Sequence, residues 1–204
     1  MAFTLMVPGG KADRARTGLN ALAESMPFLF EYINYSPKMV ERVATIIKPY
    51  ARFYKGKANN LVYNLCNWQW GILKKKILDS EHLTLPELRD VIMNHVRGFG
   101  YKATAHFIRN TGLGMPNEYG GFSSLTLPII DVHIVKALTG LGFAVPPIAP
   151  GVGLNDRDYL ALESNFSSLC NLLNIDISLL DAVLWCAYSD NWDMTRSDFD
   201  NYQT

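Results

Sequence analysis

GFGYKATAHFIRN, residues 98–110, sets two glycines around an aromatic and then runs a lysine into a stretch with helical spacing. Upstream, Thr84-Leu85-Pro86-Glu87 reads as a helix start, with a capping hydroxyl followed by proline and an acid in the first turn. Residues 84–110 therefore predict a helix, a short glycine turn and a second helix. Gly98 and Gly100 permit a positive φ, and Phe99 between them can plug into the helix pair. Such a hairpin turns backbone N–H groups and a helix N-terminus outward, a ready seat for one phosphate. The plainer reading is a simple connection between helices.

Lys102 bears on that choice. Positive charge is disfavoured at the first turn of a helix, so a lysine serving only as surface charge would sit better at the other end. With partial desolvation, the ammonium form is disfavoured there. A neutral amine is a nucleophile able to form a Schiff base with an aldehyde-like carbon. The alternative is a solvated lysine that meets a phosphate.

A second stretch, LPIIDVHIVKAL at 127–138, puts Asp131 where an apolar run gives way to a new helix, as suits an N-cap. A carboxylate tied to backbone amides is fixed in place. It can stabilise the oxocarbenium-like sugar formed when a glycosidic bond breaks. A cap and nothing more is the alternative. His133 is a candidate phosphate ligand, or a structurally satisfied histidine.

Apolar spacing of three and four recurs through most of the chain and predicts helices over 18–32, 37–55, 58–78, 84–96, 101–111, 131–141, 156–173 and 176–188. Ser36-Pro37 and Asn155-Asp156 read as further N-caps. Segments 112–128 and 142–153 are rich in Gly and Pro and read as loops. No βαβ unit or solenoid repeat appears. The expected class is all-α.

At 204 residues the chain can bury a sizeable core. The net charge is zero, but residues 1–110 carry 16 Lys/Arg against 8 Asp/Glu, a net of +8. Residues 111–204 carry 3 against 11, a net of −8. A half this basic can face a polyanion, or the two halves can simply attract each other. Cys66, Cys170 and Cys186 are widely spaced with no C-x-x-C, which fits a reducing compartment and argues against a zinc finger or an iron–sulfur cluster. No apolar run of about 18 residues exists, so no membrane span is expected. Pro8-Gly9-Gly10 interrupts the start before a signal-like apolar core forms.

Together, GFGYK at 98–102 and IDVHIV at 130–135 resemble the paired motifs of the helix-hairpin-helix DNA glycosylases, specifically the archaeal-type 8-oxoguanine DNA glycosylase/AP lyases. ATAHFIRN at 103–110 is similar to the continuation of that family's hairpin. LCNLLNIDISLLDAVLWCAY at 169–188 is similar to the C-terminal helix of one branch. The resemblance covers the last half of the chain; the first half matches only in its helical character. It implies a single glycosylase unit over 1–204 with two interleaved helical lobes, the hairpin at about 84–111 and a C-terminal helical segment at about 156–188. It implies that Lys102 displaces the damaged base at C1′ and that Asp131 stabilises the transition state. It further implies that Gly98 and Gly100 hold a DNA phosphate, with His133 at a second contact, and that the carbonyls of residues 98–100 accept a monovalent cation when DNA is bound. Thr104 departs from the small residue, often Ala, usual at its position. GLGMPNEYGGFSS, 112–124, is longer than in the second branch of the family. The chain also lacks that branch's lysine-terminated tail, so base contacts made by that tail do not carry over.

A base-excising enzyme holds its target between aromatic or apolar faces. NLCNWQWGILKKK, 64–76, supplies candidates: Trp68 and Trp70 as stacking faces, Asn67 and Gln69 as readers of amide edges, Lys74 to Lys76 as phosphate contacts. A buried aromatic helix with a solvated basic end is the alternative. Trp185, one helical turn after Asp181, is a second candidate wall, or a core residue. The expected activity is excision of 8-oxoguanine from double-stranded DNA followed by strand nicking. The competing readings are a different oxidised base and a DNA-binding module without chemistry. No organic cofactor or resident metal is expected, because the protein amine does the covalent work. The protein is expected to be a monomer that works inside the cell wherever genomic DNA resides, with no membrane partner.

Overall fold

The computed structural model describes residues 1–6, 11–30, 34–67, 83–111, 127–146 and 153–188. Every regular element among them is helical, so the class is all-α. By chain contacts the protein divides into two compact units, Met1–Gly114 and Met115–Thr204. Residues 111–114 carry no charge, so the first unit holds the whole +8 and the second the whole −8.

The first unit contains α1 (Ala2–Met6), α2 (Ala12–Ser25), a 3-10 turn (Pro27–Phe30), α3 (Pro37–Ile47), α4 (Tyr54–Cys66), α5 (Leu85–His95) and α6 (Tyr101–Thr111). Leu22, Ile47, Leu61, Ile92 and Ile108, one from each of α2 to α6, are fully buried, as are Met6 of α1 and Leu29 of the 3-10 turn. The second unit contains α7 (Val132–Gly140), α8 (Asp156–Leu173) and α9 (Ile177–Tyr188) around Ile130, Ile134, Leu138, Leu162 and Phe166.

The expected caps are present. Ser36 Oγ accepts from the N–H of Met39, and Asn155 Oδ1 from that of Asp158. Thr84 and Glu87 form a reciprocal capping box, in which the acid also reaches back to the Thr84 N–H at 2.8 Å. Boundaries differ where proline intervenes. Apolar spacing carries the expected second helix, 37–55, past Pro49, but α3 stops at Ile47, because Pro49 has no N–H to continue the ladder. The expected first helix, 18–32, likewise overran Pro27. Its true start at Ala12 escaped because the polar run ADRART buries only small side chains, Ala15 among them.

No single described helix is long and apolar enough to cross a membrane. α8 and α9 pass such a test only together, and they are bent by 108°.

Candidate active site

The hairpin forms between α5 and α6. Gly98 adopts φ +88, in the left-handed region that glycine enters freely. Phe99 turns inward and its ring meets that of Phe107 edge-on at 5.5 Å. Gly100, which permits the same conformation, does not have a positive φ. A Cβ there would meet nothing within 4 Å, so the second glycine leaves open space on the outer side of the turn. Lys102 follows as the second residue of α6. It is exposed, where the sequence reading expected partial desolvation.

What holds the turn was not foreseen. Asn64, buried on α4, donates from its amide to the Arg97 carbonyl and accepts from the Arg97 N–H, both at 2.8 Å. One side-chain amide thus satisfies both backbone groups of the residue before the glycine, as a neighbouring strand would. Asn60, one helical turn earlier, lies directly over Gly98. A Cβ on Gly98 would stand 2.2 Å from Asn60 Nδ2 and 2.8 Å from its Cγ. The Arg97 guanidinium rests 4.7 Å from the centre of the Tyr63 ring. Asparagines spaced four apart inside a helix are poor helix formers, which is the signal that sequence reading could have used. Gly98→Ala should therefore lower stability by about 1–3 kcal/mol, from a left-handed backbone and a crowded Cβ together. Urea denaturation measures this, and an unchanged midpoint would mean that the turn relaxes freely.

Thr104, the departure within the hairpin motif, is fully buried. Its hydroxyl donates to the Gly100 carbonyl at 3.0 Å, and that carbonyl also accepts the Thr104 N–H at 3.0 Å. Both lone pairs of the Gly100 carbonyl are thereby engaged, so a cation seated on carbonyls 98–100 would compete with the threonine.

In the second unit, Asp131 caps α7. Its Oδ1 accepts from the backbone N–H groups of His133 at 2.9 Å and Ile134 at 3.1 Å. Its Oδ2 accepts from the indole N–H of Trp185 on α9 at 3.0 Å. Both oxygens thus meet N–H donors, one set from a helix N-terminus and one from a half-exposed aromatic. The segment that delivers Asp131 is also anchored: Tyr159 on α8 donates its hydroxyl to the Pro128 carbonyl and accepts from the Ile130 N–H. Asp181, buried on α9, accepts from the Ile129 N–H at 3.0 Å.

His133 packs edge-on against Trp185 with ring centres 5.3 Å apart. Its Nδ1–H donates to the Tyr188 carbonyl at 3.0 Å, so Nδ1 carries the proton and Nε2 is the atom left for an outside partner. The structure therefore groups Asp131, His133 and Trp185 in one contact network.

Asn67 lies at the end of α4, exposed, with its amide donating to the Tyr63 carbonyl at 3.1 Å. Trp68, Gln69, Trp70 and Lys74 to Lys76 lie outside the described residues. Among the three cysteines, all free, the Cys170 thiol is pushed up to about 11, mainly by burial and further by the carboxylates of Asp176 and Asp181. That rules it out as a nucleophile at neutral pH. Lys57 is a buried amine with a structural partner: its Nζ donates to the Met6 carbonyl at 2.5 Å, and burial pushes it below the usual lysine range. Among the described residues, no group of three or more His, Cys, Asp or Glu is arranged to hold a metal ion.

A family model described as 8-oxoguanine DNA glycosylase (Ogg-HhH) matches residues 2–175. The chain is 32% identical over 164 residues to a Sulfolobus acidocaldarius 8-oxoguanine DNA glycosylase/AP lyase, covering 79% of this chain and 70% of the relative. It is 28% identical over 194 residues to a protein of the same name from Fusobacterium nucleatum, covering 91% and 76%. Its backbone is similar to that of the Methanocaldococcus jannaschii 8-oxoguanine glycosylase/lyase, solved in complex with a 15mer DNA containing 8-oxoguanine. The TM-score is 0.63 at 22% identity, over 90% of this chain and 76% of the other.

Proposed function

The chain belongs to the Ogg-HhH family of 8-oxoguanine DNA glycosylases, and we propose that Lys102 supplies its nucleophile and Asp131 its fixed carboxylate. It is a DNA glycosylase/AP lyase acting on DNA that contains 8-oxoguanine. The Lys102 amine attacks C1′ of the damaged nucleotide. The C1′–N9 bond breaks, its electron pair leaves with the base, and the base takes up a proton. One proton of the amine then passes to O4′ as the C1′–O4′ bond breaks and the sugar ring opens, leaving a protonated C1′=N Schiff base. That electron sink acidifies C2′. Loss of a C2′ proton expels the 3′ phosphate and the strand is cut by β-elimination. Asp131 stabilises the positive charge that gathers on the sugar as the glycosidic bond lengthens. Gly98, Gly100 and His133 hold backbone phosphates, and residues 1–204 act as one glycosylase unit, as a monomer.

The observation that carries the residue assignment is the Asp131 carboxylate, met by N–H donors on both oxygens. A helix cap needs only one oxygen. The second is held by Trp185, which fixes the carboxylate's rotation as well as its position. Trp185→Phe keeps an aromatic face and removes only the indole N–H. Base excision should then lose about tenfold in kcat with little change in KM, the worth of one hydrogen bond to a charged group. An unchanged kcat would assign Trp185 to packing or stacking alone.

The function itself is tested by borohydride trapping across a lesion panel. Duplexes bearing 8-oxoguanine, an oxidised pyrimidine or an abasic site are incubated with the protein, reduced, and resolved for covalent adducts. Rapid trapping on the 8-oxoguanine duplex is expected. Trapping on the abasic duplex alone would make the protein a lyase without this glycosylase activity. DNA binding with no adduct on any duplex would make it a binding module.

A further inference from the structure

An arginine facing water is ordinarily mobile, and holding one still costs rotamer freedom. Arg97, the residue before Gly98, is exposed and yet held from several sides. Its backbone N–H and carbonyl are both bonded to the Asn64 amide. Its guanidinium lies over the Tyr63 ring, 4.7 Å from the ring centre. Tyr63 is braced in turn by Tyr35, edge-on with ring centres 6.3 Å apart, and the Tyr35 hydroxyl donates to Asn59 Oδ1 at 2.8 Å. Asn59, Tyr63 and Asn64 all belong to α4. Tyr35 and Tyr63 are 45% and 37% exposed, so the ledge stands on the surface and burial of its rings does not account for it. Among the described residues the guanidinium has no carboxylate partner. A guanidinium set over a ring still has N–H donors at its own edge.

We propose that Arg97, held on the ledge of Tyr63 and Tyr35, seats a second backbone phosphate of duplex DNA beside the one at the hairpin amides. The proposal rests on the reading of this chain as an enzyme that acts on DNA. The position favours a polyanion: Arg97 belongs to the unit that carries +8, and its Cα adjoins that of Gly98, about 3.8 Å away. Two anion seats so close along the chain suit neighbouring phosphates of one strand.

The bracing supplies what a free surface arginine lacks. A donor set that is already still loses little freedom when it binds, so more of the attraction appears as affinity. The fork of N–H groups also matches the oxygens of a phosphate, which a lysine meets only as a point charge. Contact with the backbone reads no bases, so this seat strengthens binding equally on any sequence.

The test measures binding by fluorescence anisotropy on a duplex carrying a tetrahydrofuran abasic analogue, from about 50 to 200 mM salt. Arg97→Gln should flatten the plot of log affinity against log salt by about 0.9 and weaken binding about five- to tenfold near 0.1 M. Arg97→Lys keeps the charge, so the slope should stay while affinity returns only in part. Tyr63→Leu changes no charge. It should leave the slope alone and weaken binding about two- to fivefold, the worth of an exposed cation over a ring. Tyr63→Phe keeps the ring and should bind as wild type does. Combined with Arg97→Gln, Tyr63→Leu should cost nothing more, because the ring then has no guanidinium to hold. The Asn64 bonds go to the Arg97 backbone and survive in every variant, which thermal melting checks. Wild-type slope and affinity in Arg97→Gln would overturn the phosphate seat while the reading of the chain as a DNA enzyme stands. A wild-type protein that binds no duplex would overturn both. Additive losses in the double variant would overturn the bracing by Tyr63.

Discussion

Lys102→Ala gives a folded protein that forms no borohydride-trapped adduct with the 8-oxoguanine duplex and cuts no strand at a preformed abasic site. The two halves of that expectation have separate physical causes. Lys102 is exposed on the first turn of α6, where the helix dipole is unfavourable to its charge. Alanine is the best helix former, so the substitution should move stability by no more than about 0.5 kcal/mol. The chemistry behaves oppositely. Without the amine no bond from protein to C1′ can form, no Schiff base acidifies C2′, and elimination has no electron sink. Excision should fall on the order of a thousandfold or more, as when a nucleophile is removed from a catalytic set that works as a unit. Thermal melting and the trapping assay on the same sample read both quantities. A trapped adduct at wild-type yield in Lys102→Ala would move the nucleophile to another amine. DNA binding should survive, because the hairpin glycines and the remaining cations of the basic unit stay in place.

The parts of this site that were legible in the sequence are those set by neighbours along the chain. Ser36, Thr84 and Asn155 cap their helices because a side-chain oxygen reaches the N–H three residues on. Gly98 marks a turn because no other residue enters that backbone region freely. Asp131 reads as a cap for the same local reason. Gly100 shows the limit of such reading: the residue type permits a positive φ, and the turn simply does not use it. The remainder depends on partners far apart in sequence. Asn64 meets Arg97 across 33 positions, and Trp185 meets Asp131 across 54. No periodicity encodes either contact. Sequence reading offered Trp185 as a candidate wall for the base or a core residue, and did not anticipate its indole N–H on the Asp131 carboxylate. The overrun of the predicted helices at Pro27 and Pro49 has a different origin. Apolar spacing continued past both prolines, and spacing does not register a missing N–H.

Asp131→Asn separates a structural role from a chemical one, because asparagine is isosteric and caps helices about as well as aspartate. With its oxygen toward the His133 and Ile134 N–H groups, the variant turns its amide nitrogen onto the Trp185 N–H. Rotated the other way, it faces the helix amides with a donor. In either orientation two donors oppose each other, which a carboxylate avoids by accepting on both oxygens. The Trp185 N–H is half-exposed and can turn to water, so stability should fall by no more than about 1 kcal/mol. Excision of 8-oxoguanine should fall further, about 10²–10³-fold, because the variant has no negative charge to set against the developing sugar cation. Cleavage at a preformed abasic site should fall much less, since the ring-opened sugar already offers the Lys102 amine an aldehyde and no glycosidic bond remains to break. The diagnostic quantity is therefore the ratio of excision to abasic-site cleavage in single-turnover assays, which cancels any loss of folded protein. A ratio unchanged from wild type would reduce Asp131 to a helix cap. A ratio lowered by two orders of magnitude identifies the carboxylate with the bond-breaking step and leaves the lyase step to Lys102.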